Sequence, residues 1–127
     1  MEEVQRVLRY AHPFHNRAYL VTVYSCGLRL HEGLFLQVSD IDSKRMMIHV
    51  HRGKGAKDRY VPLPTKTLLV LREYWKTHRN PLWIFPATGR NHKQMATAQE
   101  PMSRSSVQGA FRRAMKLAIS PASLNTG

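Results

Sequence analysis

With 127 residues the chain has room for one domain or part of one, and not for two independent cores. Hydrophobic residues make up 43% and charged residues 22%, which excludes a disordered or fibrous chain. Twenty Lys and Arg against eight Asp and Glu leave a formal net charge of +12, so a polyanion is the expected partner, while no segment approaches the ~18 consecutive apolar residues of a membrane span.

Glu2 to Tyr10 carries helical spacing through Val4, Val7 and Leu8, and a polar break at His12–Asn16 follows. The apolar stretch Ala18 to Tyr24 predicts a central buried helix stopped by Gly27. Cys26, the lone cysteine, sits at the end of that run as a small core residue; with no partner for a disulfide and no signal-peptide pattern, an intracellular setting is expected. A short helix with Leu34, Phe35 and Val38 on one side precedes a turn at Ser39–Asp42. The period then changes to two: Met46, Ile48 and Val50 alternate with Met47, His49 and His51, Gly53-Lys54-Gly55 turns, and Arg59 to Leu63 returns as a hairpin with a basic tip. Thr65 is placed to cap a helix in which Leu68, Leu71, Trp75 and His78 share a stripe, with Pro81 ending it. Trp83–Pro86 is extended, and Ala87–Pro101 reads as a loop. Ser103 then caps a helix whose stripe is Val107, Ala110, Phe111, Ala114 and Ala118, and residues 119–127 have no periodicity.

Two segments carry chemistry. In Cys26-Gly27-Leu28-Arg29-Leu30-His31-Glu32, an Arg just after a helix-ending Gly is held in a turn from which a guanidinium can grip a phosphate bidentately; the alternative is a helix-end Arg paired with Glu32. In Arg52-Gly53-Lys54-Gly55-Ala56-Lys57-Asp58-Arg59, glycines let backbone approach a ligand while Lys54 reaches a phosphate or a minor groove; the alternative is a solvated basic turn. The seven His suggest no metal: His12 with His15, or His49 with His51, could share a face, but no Cys pairs or carboxylates stand at ligand spacing in the sequence. His49 and His51 are expected on the solvent or DNA face of the hairpin.

Gly-Leu-Arg, an acidic residue three positions after the Arg, the Asp40-Ile41-Asp42 turn, the Gly-Lys-Gly hairpin and Val61-Pro62-Leu63-Pro64 occur in one order at short intervals. Over roughly Glu2 to Ala118 this combination resembles the tyrosine recombinases, or phage integrases, and most closely those of bacterial mobile elements. The resemblance implies three catalytic positions. Arg29 would stabilise the phosphorane formed when a Tyr attacks the scissile phosphodiester, Glu32 would support the site's architecture, and Lys54 would protonate the leaving 5′ oxygen. Arg29, Arg52, Lys54, Lys57 and Arg59 are the expected DNA contacts. His31 stands where the family commonly has a small residue such as Ser.

The implied fold is α+β, mostly helical, with a small antiparallel sheet built on the 46–63 hairpin. Residues 1–118 would be the N-terminal part of an integrase-type catalytic domain and 119–127 an irregular tail. The family continues past the last helix with a His-x-x-Arg box, a His or Trp, and the nucleophilic Tyr, and it places a helical core-binding domain ahead of the catalytic one. None of the first set follows Ala118 here, and Tyr10, Tyr19, Tyr24, Tyr60 and Tyr74 all precede it in surroundings suited to packing or the hairpin. The expectation is a truncated catalytic domain that binds double-stranded DNA without cutting it alone. It would need no cofactor, work in the bacterial cytoplasm near the nucleoid, and have other recombinase protomers as further partners. The competing expectation is a non-enzymatic module that pairs with or regulates an intact recombinase.

Overall fold

The computed structural model describes residues 14–51, 57–88 and 94–118. The expected helix at Glu2–Tyr10 and the tail at 119–127 lie outside the described residues. Helix α1 (Phe14–Cys26) is the centre of the molecule. Ala18, Tyr19, Leu20, Thr22 and Cys26 are all buried on it, because the helix is covered on several sides by later elements. It begins before the polar break would suggest: Asn16 is buried inside its first turns, and Phe14 packs edge-on to Tyr74 at 5.7 Å. Gly27, at φ +65, ends it in the left-handed conformation that glycine adopts without Cβ strain.

Helix α2 (Leu30–Leu34) follows at once and leads through a 3-10 turn (Val38–Asp40) into a three-stranded antiparallel sheet. Its strands are β1 (Ile41–Asp42), β2 (Met47–Val50) and β3 (Arg59–Pro62), in the order β1-β2-β3. The 46–63 hairpin is therefore present, and the expected turn at Ser39–Asp42 additionally supplies an edge strand too short to show a period. Register pairs Ile41 with Ile48, Ile48 with Val61, His49 with Tyr60 and Val50 with Arg59. Because side chains alternate across a strand, Ile48, Val50 and Val61 share the core face, while Met47, His49 and Tyr60 share the other.

Helix α3 (Thr65–His78) buries Leu68, Leu71 and His78 as the stripe predicts, and Tyr74 with them. Thr65 is not its cap: Pro64 occupies the capping position with extended backbone, and Thr65 is the first helical residue. Proline's fixed φ and the extended Leu63-Pro64 run coming out of β3 set that start one residue early. Arg79, at φ 54, closes the C-terminus with its amide on the Trp75 carbonyl at 2.7 Å. Trp83–Pro86, expected as extended, instead bends at Ile84 and Phe85 between two isolated bridges, Trp83 to Gln37 and Pro86 to Pro101. Helix α4 (Arg104–Ala118) starts after Ser103, whose hydroxyl accepts the Ser106 amide at 3.3 Å. The core joins α1, α3 and the Trp83–Pro86 segment: Tyr19 meets Phe85 edge-on at 5.4 Å, and Phe85 stacks on Tyr74 at 5.7 Å. Among the described residues no helix is long and apolar enough to cross a membrane.

Candidate functional site

The turn between α1 and α2 places Arg29 in the capping position of α2, with extended backbone (φ −73, ψ 152). Its amide donates to Glu32 Oε1 at 2.8 Å, so the acidic residue three positions on folds back over the turn. Arg29 itself is exposed, and among the described residues its guanidinium forms no ion pair.

Glu32 instead pairs with Arg59. The guanidinium donates Nη1 to Oε2 at 2.6 Å and Nη2 to Oε1 at 3.0 Å, a two-pronged grip on a carboxylate that is 9% exposed. The sheet register explains the reach. Arg59 lies opposite Val50 on the core-facing side of β3, at the end of that face, so its side chain leaves toward α2. Burial pushes the Glu32 carboxyl up, but the Arg59 hydrogen bonds, the Arg29 amide and the two positive charges outweigh it and hold the group below its ordinary value.

The structure thus brings Arg29, Glu32 and Arg59 together. Lys57 is exposed at the start of the returning strand segment, and Arg52 and Lys54 lie outside the described residues. The open choice at the turn resolves against an Arg29–Glu32 ion pair: Glu32 takes the Arg29 amide and the Arg59 guanidinium. Arg59, expected as a DNA contact, has both terminal nitrogens engaged by Glu32. Its part as a positioning group was not visible in the sequence, since the two residues stand 27 positions apart. His31, beside Arg29, is exposed and tilts against the Phe35 ring at 4.6 Å.

A second polar group stands at the turn end of the hairpin. His51 Nε2 lies 2.6 Å from Asp40 Oδ1, and His49 Nε2 lies 3.0 Å from Asp58 Oδ2. His49 and His51 face each other at 4.1 Å, and Tyr60 stacks on His49 at 4.8 Å. The histidines lie on the outward face, and although no carboxylate stands at ligand spacing from them in the sequence, pairing of β1 with β2 carries Asp40 to them from nine and eleven residues upstream.

The tyrosines divide cleanly. Tyr19 is buried and donates its hydroxyl to the Leu30 carbonyl at 2.6 Å, with burial pushing the phenol far up against the pull of Arg104. Burial does the same to Tyr74, while Tyr24 and Tyr60 are exposed and Tyr10 is outside the described residues. Cys26 is buried, and burial raises its thiol, as a packing residue requires. A groove of about 450 Å³ lined by Val38, Ile41, Leu68, Leu71, Trp75 and Ile84 shares none of the site's residues.

The α+β scaffold thus sets an exposed Arg29 at a turn beside the Glu32–Arg59 pair. The same fold is found in a crystal structure of XerA recombinase, which superposes with a TM-score of 0.73 over 92% of this chain and 40% of that one at 24% sequence identity. Residues 1–124 match the phage integrase family, and the chain belongs to it. Among curated relatives, the Sinorhizobium fredii protein y4qK, described as an integrase/recombinase, is 40% identical over 116 residues, covering 91% of this chain and 35% of that protein. Tyrosine recombinase XerA of Pyrococcus horikoshii is 30% identical over 93 residues, covering 72% of this chain and 33% of that protein. The chain spans about a third of the length of the curated relatives it matches.

Proposed function

We propose that this chain binds double-stranded DNA and presents half of a tyrosine-recombinase active site. Arg29 faces the non-bridging oxygens of the scissile phosphate, where negative charge grows as the phosphorane forms and a fixed cation lowers its energy. Lys54 is the proton donor to the leaving 5′ oxygen. Glu32 positions Arg29, Arg59 holds Glu32, and Arg52 and Lys57 add positive charge along the backbone. The observation that carries this reading is the brace itself: Glu32 binds the Arg29 amide at 2.8 Å while Arg59 occupies both its oxygens, leaving the Arg29 guanidinium outward. The formal charge of +12 gives the electrostatic attraction.

These 127 residues supply the Arg29, Glu32 and Lys54 positions of that site. Residues 1–118 form the N-terminal portion of the catalytic domain, working beside the bacterial nucleoid with other recombinase protomers. The test is duplex binding across a salt series, with covalent trapping on a nicked suicide substrate. Affinity falls with a log–log slope of roughly −0.9 per phosphate neutralised, and Arg29→Ala weakens binding about tenfold and flattens the slope by about one contact. A flat salt profile refutes DNA binding; a covalent adduct refutes the half-site.

A second reading, a module that pairs with an intact recombinase, draws on the exposed apolar side chains of Leu30 and Phe111. Co-purification with a full-length recombinase that survives nuclease treatment favours it.

A further inference from the structure

The outward face of the sheet gathers four side chains that the strand-exchange chemistry does not use. Register accounts for them. The β1–β2 pairing sets Ile41 opposite Ile48, so continuing one residue back sets Asp40 opposite His49. The β2–β3 pairing sets Val50 opposite Arg59, so continuing one residue on sets Asp58 opposite His51. His49 and His51, two apart on one strand, point the same way.

We propose that Asp40, His49 and His51 form a binding site for a divalent transition-metal ion of the zinc type. Each offers one ligand atom, and the three atoms lie within 4.8 Å of one another. Donors bound to tetrahedral zinc at about 2.0–2.1 Å stand roughly 3.3 Å apart, so the cluster needs adjustments of an ångström or so to close on an ion. Two imidazoles and one carboxylate match zinc, cobalt or nickel and not magnesium, which demands oxygen ligands.

The carboxylate is the rigid member. Asp40 is 4% exposed, and its Oδ2 accepts the Gln37 amide at 2.9 Å, which fixes the side chain with Oδ1 turned to His51 Nε2. The ring proton has somewhere to go. In the metal-free protein His51 donates Nε2–H to Asp40; when Nε2 gives its lone pair to the ion, that proton moves to Nδ1, where Asp58 Oδ2 at 3.5 Å accepts it. A carboxylate on the far nitrogen of a metal-bound histidine is the usual way such a ring is oriented. His51 is 54% exposed, so an ion can enter from solvent, and a fourth position stays open to water. Bound there, the ion ties the 3-10 turn at Val38–Asp40 to the last residues of the outgoing hairpin strand.

The test uses the full, tag-free 127-residue chain, stripped with chelator and titrated with CoCl2 and ZnCl2. The expected result is one ion per chain, the visible absorption of low-symmetry cobalt displaced by zinc, and a melting temperature that rises with zinc but not with MgCl2. His49→Gln and His51→Gln should each weaken binding by roughly 100-fold with circular dichroism unchanged, since losing even an outer partner of a zinc ligand costs 10–100-fold. His31→Gln, an exposed histidine outside the cluster, should bind as the parent does. If Asp40→Asn unfolds the chain, the two histidine variants still decide. Absence of a cobalt spectrum, or zinc binding that persists in both histidine variants, overturns the proposal.

Discussion

Glu32 performs two tasks with one carboxylate that is 9% exposed: it accepts the Arg29 amide and it holds Arg59 with both oxygens. Replacing it by Gln turns one acceptor into a donor aimed at a guanidinium. Glu32→Gln should therefore cost about 1–3 kcal/mol in urea denaturation, the usual penalty for stranding a hydrogen-bonded charged partner, and a loss under ~0.5 kcal/mol would show that the pair braces nothing. Its pH signature follows from the direction of the shift. The folded carboxyl titrates below its ordinary 4.5, so in acid the unfolded chain takes up the proton first. The stabilisation is complete above that pH and is lost as pH falls through the folded value, and Glu32→Gln should remove that part of the acid sensitivity. His78 acts in the same direction at higher pH. Its Nδ1 accepts the Asn80 amide at 2.9 Å, which leaves Nε2–H to donate to the Ile84 carbonyl at 3.1 Å, so only the neutral ring fits. Burial lowers its affinity for a proton, against the Ile84 bond, below the ordinary 6.5. Stability present above that pH should decline as pH falls below it, and the decline should vanish in His78→Gln, measured by urea midpoints from pH 7.5 to 5.

Between elements, two close approaches set where the site stands. Helix α2 crosses α1 at Gly33, where a Cβ would lie 2.6 Å from Val23 Cγ2 and 3.0 Å from the Tyr19 ring. Tyr19 is itself fixed by its bond to the Leu30 carbonyl, so the ring cannot swing away without breaking that bond. Gly33→Ala should destabilise by about 1–3 kcal/mol despite alanine's better helix propensity, and a stabilised variant in thermal melts would mean that α2 can shift. Beyond α3 the chain is held by Asn80, whose Nδ2 donates to the Met95 and Ala98 carbonyls at 2.8 and 3.0 Å and whose Oδ1 accepts the Leu82 and Trp83 amides at 2.9 and 2.8 Å. Asn80→Ala strands four backbone groups and should cost about 2–4 kcal/mol; an unchanged urea midpoint would show that water replaces the side chain freely. Periodicity exposed α3 and the hairpin because their apolar residues repeat at the helical or strand period, while α1 showed as an apolar run with no polar face, the mark of a helix covered on several sides. It was silent on Asn80, a polar residue in a turn whose partners lie up to 18 positions away. It was equally silent on Arg59 gripping Glu32 and on Asp40 reaching the hairpin histidines, since both depend on which strand lies beside which. Arg29 and Glu32 were legible because the turn is local: helix stop, Arg and carboxylate all fall within six residues.

At the scale of the molecule, charge and apolar surface pull in opposite directions. Val107 of α4 is buried, but Phe111, one turn further along the same stripe, is 43% exposed, and with Leu20 and Leu30 it lines a cavity of about 190 Å³ at the α1–α4 contact. Apolar side chains grouped at a helix contact favour association between copies when nothing else covers them. Twelve net positive charges oppose it, because like-charged chains repel. Salt separates the two forces: at 0.15 M the Debye length is about 8 Å, so repulsion is screened while apolar contact is not. Self-association of the free chain should therefore strengthen from low to physiological salt, the range over which duplex binding weakens through counterion competition. Phe111→Ser should abolish the association without changing the salt slope of DNA binding, since it removes ring area and no charge. Sedimentation across about a hundredfold concentration range reads both predictions. A chain that stays monomeric at every salt, or a Phe111→Ser variant that still associates, would place the sticky surface elsewhere or nowhere.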